Sequence, residues 1–501
     1  MQLDFAHPSD YFWALLPEIV LSLWGMMVLV VDVFQKGREP IPSRPYIPWL
    51  SLAGLVLAGV ANAWLLGFTE VGTAGMVAVD GFRVFANFIM LVAAAIAILI
   101  SIGYPDHTGI NRGEFFALIL LSTVGMMLMA GTRDLMLLFL ALELMSISVY
   151  VLVGFNRSDP RSAEGSLKYF LLGAFSSAFL LYGIALVWGS AGTTNISDIA
   201  GALGGELGSS AMFLTGAAML VVGLGFKVAA VPFHMWTPDA YDGAPTPITA
   251  FMATGVKAAA FAAFIRIFAV AFSGSYEVWS EVIWWLAMLT MFGANLVAVT
   301  QGSVKRMLAY SSIAHAGYLL VALLAANAYG AAAFLFYLLV YTLMTAGAFG
   351  IVIANSRGGR ERIALKDYAG FGWEQPLLGA VFAIFLLSLA GFPLTGGFVG
   401  KVYILRAAVA AGYQGLAVAL VVASLISYFY YLRVVVVMYM RPVSEENAGR
   451  LQVPGPLRFA VSLAAAGVII LFLFPSLFLD AAQQSVSAMF TTPGAFFGWL
   501  P

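Results

Sequence analysis

The 501-residue sequence is 62% hydrophobic and only 10% charged, with a formal net charge of −1. Soluble chains carry about a quarter charged residues, so this composition excludes a soluble protein, and the lack of excess basic charge argues against a nucleic-acid partner. The absence of cysteine excludes thiolate-bound iron–sulfur clusters, cysteine zinc sites and disulfides.

What remains is an all-α polytopic membrane protein, a single membrane domain over 1–501. Apolar windows of about 20 residues bounded by polar or Gly/Pro-rich turns predict about fourteen transmembrane helices. They fall at 11–34, 47–67, 82–103, 114–131, 135–155, 167–190, 211–236, 247–271, 278–300, 306–326, 330–355, 376–411, 415–440 and 456–479. The N-terminal segment MQLDFAHPSDYFWALLPEIV carries acids where a cleaved signal peptide carries bases, so the first span is expected to be retained. The twelfth window is too long for one straight span and contains GFPLTGG, Gly391 to Gly397. It reads as a broken helix facing protein or water, because freed carbonyls at membrane depth need partners.

Basic residues alternate from side to side. Loops after spans 1, 3, 5, 9, 11 and 13 hold Lys36, Arg38, Arg44, Arg112, Arg157, Arg161, Lys305, Arg306, Arg357, Arg360, Arg362, Lys366, Arg441, Arg450 and Arg458. The opposite loops hold Arg133, and Arg83 lies at a helix start. The positive-inside rule therefore places the odd loops in the cytoplasm and both termini outside.

Charges at membrane depth stand out next. Lys227 lies nine residues inside a helix that ends near Trp236, and Lys257 ten residues inside one that begins near Pro247. At about 1.5 Å per residue both sit near the middle of a ~30 Å hydrocarbon core. Each costs about 2.5–3.5 kcal/mol even on the mild insertion scale, so their charge is expected to be used. Glu143 sits near the centre of the fifth span and Lys401 follows the break in the twelfth. An acid and bases whose separation changes can exchange protons, because a nearby opposite charge shifts each pKa. The alternative is structural ion pairing between helices.

Span 7 (Lys227, Pro232) and span 12 (Pro393, Lys401) carry the same ingredients five spans apart, as an inverted repeat would. His315 lies about nine residues into the tenth span beside Ser311, Ser312 and Tyr318, as relay or as satisfied core residue. His234, two helical turns beyond Lys227 on the same face, either passes protons to it or pins the Pro-rich loop. Glu164 and Lys168 pair locally, Arg266, Arg406, Arg433 and Arg441 snorkel, and Asp239 and Asp242 read as loop and cap residues. His7 and His107 pair with no other ligand. GGELG and GGFVGK lack the strand–turn–helix context of a phosphate loop.

Three stretches carry a resemblance: GFKVAAVPFHMWTPDAYDGAPTPITAFMATGVKAAAFAAFIR, EGSLKYFLLGAFSSAFLLYG and KRMLAYSSIAHAGY. Together they resemble the N subunits of bacterial respiratory complex I (NADH-quinone oxidoreductase), the antiporter-like subunits equivalent to mitochondrial NADH dehydrogenase subunit 2. The resemblance runs from the first span to the fourteenth, and the first motif is shared loosely with multisubunit cation/proton antiporters. It implies three N-terminal helices (11–103), two inverted five-helix repeats with broken helices (114–271 and 278–440) and a last helix (456–479). It implies proton translocation along Glu143, Lys227, Lys257 and Lys401, with His234 and His315 beside them. It also implies a bacterial inner-membrane location among other complex I membrane subunits, including neighbouring antiporter-like ones. NADH, FMN, iron–sulfur clusters and quinone belong to partner subunits, and no cofactor is expected on this chain. The other readings are a Na⁺/H⁺ antiporter subunit, a ferredoxin-driven relative of complex I and a structural scaffold.

Overall fold

The computed structural model describes residues 2–35, 46–70, 75–104, 110, 112–203, 206–325, 327–357, 360–443, 449 and 451–490. Lys36, Arg38, Arg44, His107, Arg450 and Gly204–Gly205 of GGELG lie outside them. Among the described residues thirteen helices are long and apolar enough to cross a membrane. A fourteenth crossing is the pair Pro376–Ala390 and Gly396–Ala410, broken where GFPLTGG places the break. Gly391 there has φ +81°, and a Cβ on it would lie 2.8 Å from Cδ of Lys401, so glycine serves both the turn and the close approach of the lysine.

Several boundaries differ from expectation. The first span begins as a short helix, Pro8–Ala14, and continues as Leu16–Gln35. The sixth is longer, Pro160–Ala191, because Asp159 caps it and Pro160 opens it. The last span, Gly455–Leu473, stops before Pro475, and a further helix, Pro475–Phe490, follows. The seventh helix does not run to Trp236. It is Ala211–Val228, with Ala229 left-handed at φ +61°, and the chain resumes as Thr237–Gly243. Pro232 explains the stop: it has no N–H to continue the ladder, and its ring opposes the carbonyl four residues earlier.

The eighth span, Thr246–Ala271, is buried throughout. It packs against the third, fourth, seventh and eleventh spans and forms the axis of the bundle. Two π-helical turns interrupt it, Met252–Val256 and Arg266–Ala271, and such turns concentrate at functional sites. Strand Gln2–Leu3 pairs in parallel with Thr69–Glu70, and Ser485 of the final helix packs on Gly81. Both ends of the described chain therefore lie at the end of the bundle where the third span begins.

That end is tied by buried ion pairs. Arg83 donates to Glu18 at 2.7 Å and to the carbonyls of Ala14 and Ala78. Arg133 pairs with Glu70. Arg266 does not snorkel: it is 3% exposed and donates through both terminal nitrogens to Asp80, at 2.8 and 3.0 Å. Asp80 also caps the third span through the Arg83 amide. At the opposite, Lys/Arg-rich end, Asp239 is a bridging residue rather than a simple cap, joining Lys168 and Arg306 at 2.8 and 2.9 Å. Lys168 also meets Glu164 at 2.6 Å, as the four-residue spacing requires. Arg433 points to the Val299 and Gln301 carbonyls at the same end.

Burial pushes the Asp80 carboxyl up, but Arg266 outweighs burial and holds it below the ordinary aspartate value. The stabilisation it provides is therefore complete above the unfolded-state pKa of about 3.9 and is lost as pH falls through the lower folded value. Asp80→Ala leaves a buried guanidinium unpaired and is expected to cost about 3–5 kcal/mol. Thermal unfolding of the detergent-solubilised protein measures this, and an unchanged midpoint contradicts it.

Candidate functional site

The site is a line of buried amines. Lys227, Lys257 and Lys401 are 2%, 1% and 4% exposed, and His315 is 1% exposed. Among the described residues none of the three lysines has an ion-pair partner. Hydroxyls and main-chain carbonyls hold them instead.

Lys227 occupies the last turn of its helix, where a cation meets the negative end of the helix dipole. It donates to Ser146 Oγ at 2.7 Å and Tyr150 Oη at 3.1 Å, both on the fifth span, Leu135–Val153. The Tyr150 and Tyr169 rings lie 5.2 and 5.6 Å from its Nζ. Gly173 makes room for this arrangement: a Cβ there would fall 2.1 Å from the Tyr150 hydroxyl. Glu143 is partly exposed on the lateral face and accepts from Ser177. It forms no ion pair with Lys227; Ser146, one turn along the same helix, takes the lysine instead.

Lys257 directly follows the first π turn and donates to the carbonyl and the hydroxyl of Ser312. Neighbouring Ser311 meets Tyr431 Oη, which lies 3.3 Å from His315 Nε2. His315 Nδ1 is 2.6 Å from Tyr337 Oη, and its ring sits edge-on to Tyr318 at 5.2 Å. Tyr318 in turn lies under Lys401, 4.7 Å from Nζ. Lys401 donates to the Leu389 and Ala390 carbonyls at 3.1 and 2.9 Å and to Ser424 at 3.2 Å. Those carbonyls end the first half of the broken twelfth span, so the amine satisfies groups that the break frees.

His234 stands apart from this line. It lies in the turn between the halves of the seventh span, not two turns along one helix from Lys227. Its Nδ1 makes no hydrogen bond of close geometry, although the Pro232 carbonyl lies within reach of the ring, and Tyr169 Oη and Thr237 Oγ1 make none. Buried polar atoms of this kind are normally satisfied by ordered water. The structure thus places Lys257, His315 and Lys401 in succession among hydroxyls and the Tyr318 ring, sets Lys227 against the fifth span, and leaves Glu143 and His234 at the margins. Ser146, Tyr150, Ser424, Tyr337 and Tyr431 escaped sequence reasoning, since single hydroxyls in apolar helices carry no spacing signal. No group of three or more His, Asp or Glu side chains suited to a metal occurs among the described residues.

Residues 132–427 match the family described as NADH:quinone oxidoreductase/Mrp antiporter, transmembrane. The chain is 48% identical over 475 residues to NADH-quinone oxidoreductase subunit N of Trichlorobacter lovleyi, covering 94% of this chain and 96% of the relative. It is 35% identical to a chain of respiratory complex I from Thermus thermophilus, with a TM-score of 0.78 over 94% of this chain and all of that one. A chain of the Mrp complex from a Dietzia species shares the fold, with a TM-score of 0.81 at 22% identity. With a relative this similar over nearly its whole length, the chain belongs to the NADH-quinone oxidoreductase subunit N family.

Proposed function

We propose that this chain is a proton-translocating membrane-arm subunit of an NADH:quinone oxidoreductase, working among other membrane subunits of that complex. The observation that carries the reading is the line of buried lysines held by hydroxyls and carbonyls rather than by carboxylates. An amine held in this way exchanges its proton without leaving an opposite charge unpaired. Ion pairs made only to fasten helices would look like Arg266–Asp80 or Arg83–Glu18.

Lys227 takes its proton from the cytoplasmic side past His234 and exchanges with Lys257. Ser312, Tyr431 and His315 carry the charge on to Lys401, which releases it outward. Glu143, half-open to the lateral face, couples this movement to a neighbouring antiporter-like subunit. The Lys/Arg-rich end is the cytoplasmic one by the positive-inside rule, which places both termini on the outer side of a bacterial inner membrane. Two helix breaks five spans apart, each beside a lysine, support inverted repeats at 114–271 and 278–440. NADH, FMN, iron–sulfur clusters and quinone sit in partner subunits, and the cysteine-free sequence supports this.

The deciding variant is Lys227→Ala in the assembled complex in sealed vesicles. Quinone reduction and proton transport are expected to fall together, with or without Na⁺, while assembly stays normal. Full pumping per electron contradicts the proposal, and a Na⁺ requirement transfers the function to Na⁺/H⁺ exchange.

Gly173→Ala drives the Tyr150 hydroxyl off Lys227 at an overpacking cost of about 1–3 kcal/mol. It is expected to depress pumping, and Gly173→Ala combined with Tyr150→Phe to recover only part of the stability, since Cζ would still lie 2.8 Å from the new Cβ, and none of the transport. Normal transport by the single variant removes Tyr150 from the relay.

A further inference from the structure

Glu361 lies in the polar segment between the eleventh and twelfth spans, among Arg357, Arg360 and Arg362. Its carboxylate turns inward. It accepts from Tyr104 Oη and Thr246 Oγ1 and meets Lys305 Nζ at 3.2 Å. Lys305 also donates to the Ala244 carbonyl at 2.7 Å, and Tyr104 Oη accepts from the Thr246 amide at 3.3 Å. Three partners from three parts of the chain therefore converge on one acid at the start of the eighth span. Tyr104, Thr246 and Lys305 are buried, whereas the Glu361 side chain keeps 19% of its surface exposed. It is the outermost member of an otherwise enclosed cluster. Arg161 also bears on it electrostatically.

Below this cluster the eighth span descends to Lys257, eleven residues beyond Thr246 and roughly 16 Å along the axis. The eleventh span, Ala328–Ala354, packs beside it. On that span Tyr337, Tyr341 and Thr345 succeed one another at four-residue steps, on one stripe. Tyr337 already holds His315, and the Tyr341 ring lies 5.1 Å from the His315 ring. The stripe therefore faces the amine axis. Tyr341 Oη and Thr345 Oγ1 are buried and make no hydrogen bond of close geometry, but they lie within reach of one another, and Ser312 lies within reach of Tyr341. Two buried hydroxyls so loosely held at successive turns keep hydrogen-bonding capacity for water between them and the eighth span. Thr249, one turn inside Thr246, spends its hydroxyl on the Tyr241 carbonyl.

We propose that a proton entry separate from the His234 side leads from Glu361 through Thr246, Thr345 and Tyr341 to Ser312 and Lys257. Glu361 collects the proton from the cytoplasm, and the hydroxyls and intervening water carry it to the amine. This deepens the proton-translocation reading above and rests on it. Burial pushes the Glu361 carboxyl up, but Lys305 and the hydrogen bonds from Thr246 and Tyr104 outweigh burial and hold it below the ordinary glutamate value. The group is thus ionised at neutral pH, so it holds a proton only in passing and hands it on. Protonation loosens its hold on Lys305, which keeps the Ala244 carbonyl.

The test uses the whole complex in sealed vesicles, comparing Glu361→Gln, Glu361→Asp, Thr345→Val and Lys257→Ala for protons moved per electron. Glu361→Gln and Thr345→Val are expected to lose part of the pumping that Lys257→Ala loses, and Glu361→Asp to recover it. Thr345→Val is the decisive variant: it removes only a hydroxyl that lies within reach of Tyr341 and keeps the branched shape, so a purely structural residue tolerates it. If Glu361→Gln fails to assemble, Thr345→Val alone decides. Wild-type pumping by Thr345→Val beside a deficient Lys257→Ala overturns this entry and spares the wider reading. Wild-type pumping by Lys257→Ala overturns both.

Discussion

The arrangement depends on how a membrane-buried amine is satisfied without a counter-ion. A helix that stops inside the bundle frees carbonyls that neither lipid nor the next turn can satisfy. Lys401 donates to the last two carbonyls of the first half of the twelfth span, and Lys227 sits in the last turn of the first half of the seventh. The lysine serves the break, and the break serves the lysine. Each break costs backbone order, and Ala229 adds strain of about 1–2 kcal/mol as a non-glycine left-handed residue. Such strain persists where surrounding packing over-determines it, which is common at functional sites.

Permanent charges are treated differently. Arg83, Arg133 and Arg266 at the end where the third span begins each meet a carboxylate, and so does Lys305 at the basic end. These pairs fasten the third, fifth and eighth spans to their neighbours. Between the two belts lie the three lysines with neutral partners. Pairing at the ends and neutral partners in the middle give a bundle with rigid rims and a protonatable interior.

Much of this was legible in the sequence, and its limits have physical causes. The twelfth-span break announces itself through Gly391, Pro393 and Gly396. The seventh-span break does not, because the left-handed residue is Ala229 and Pro232 comes three residues late, so the helix was extended to Trp236 and His234 was set on one face with Lys227. Lysines in apolar runs are visible because each is costly there. Most of their partners are not, since Ser146, Tyr150 and Ser424 look like ordinary residues of apolar helices; Ser312 stands out only through its place beside His315. Arg266 near a helix end suggests snorkelling, and only the fold brings Asp80 to it across 186 positions. Glu361 was hidden among arginines in a segment read for its positive charge. The family resemblance supplied the roles of Glu143, Lys227, Lys257 and Lys401; the structure adds what each one touches.

The central claim is that the hydroxyl chain between Lys257 and Lys401 carries protons. Tyr431 Oη meets both Ser311 Oγ and His315 Nε2. The most direct measurement is therefore the number of protons moved per electron by a Tyr431→Phe complex in sealed vesicles, with assembly checked in parallel. The account predicts a normally assembled complex with a reduced stoichiometry. Wild-type stoichiometry in that complex contradicts it.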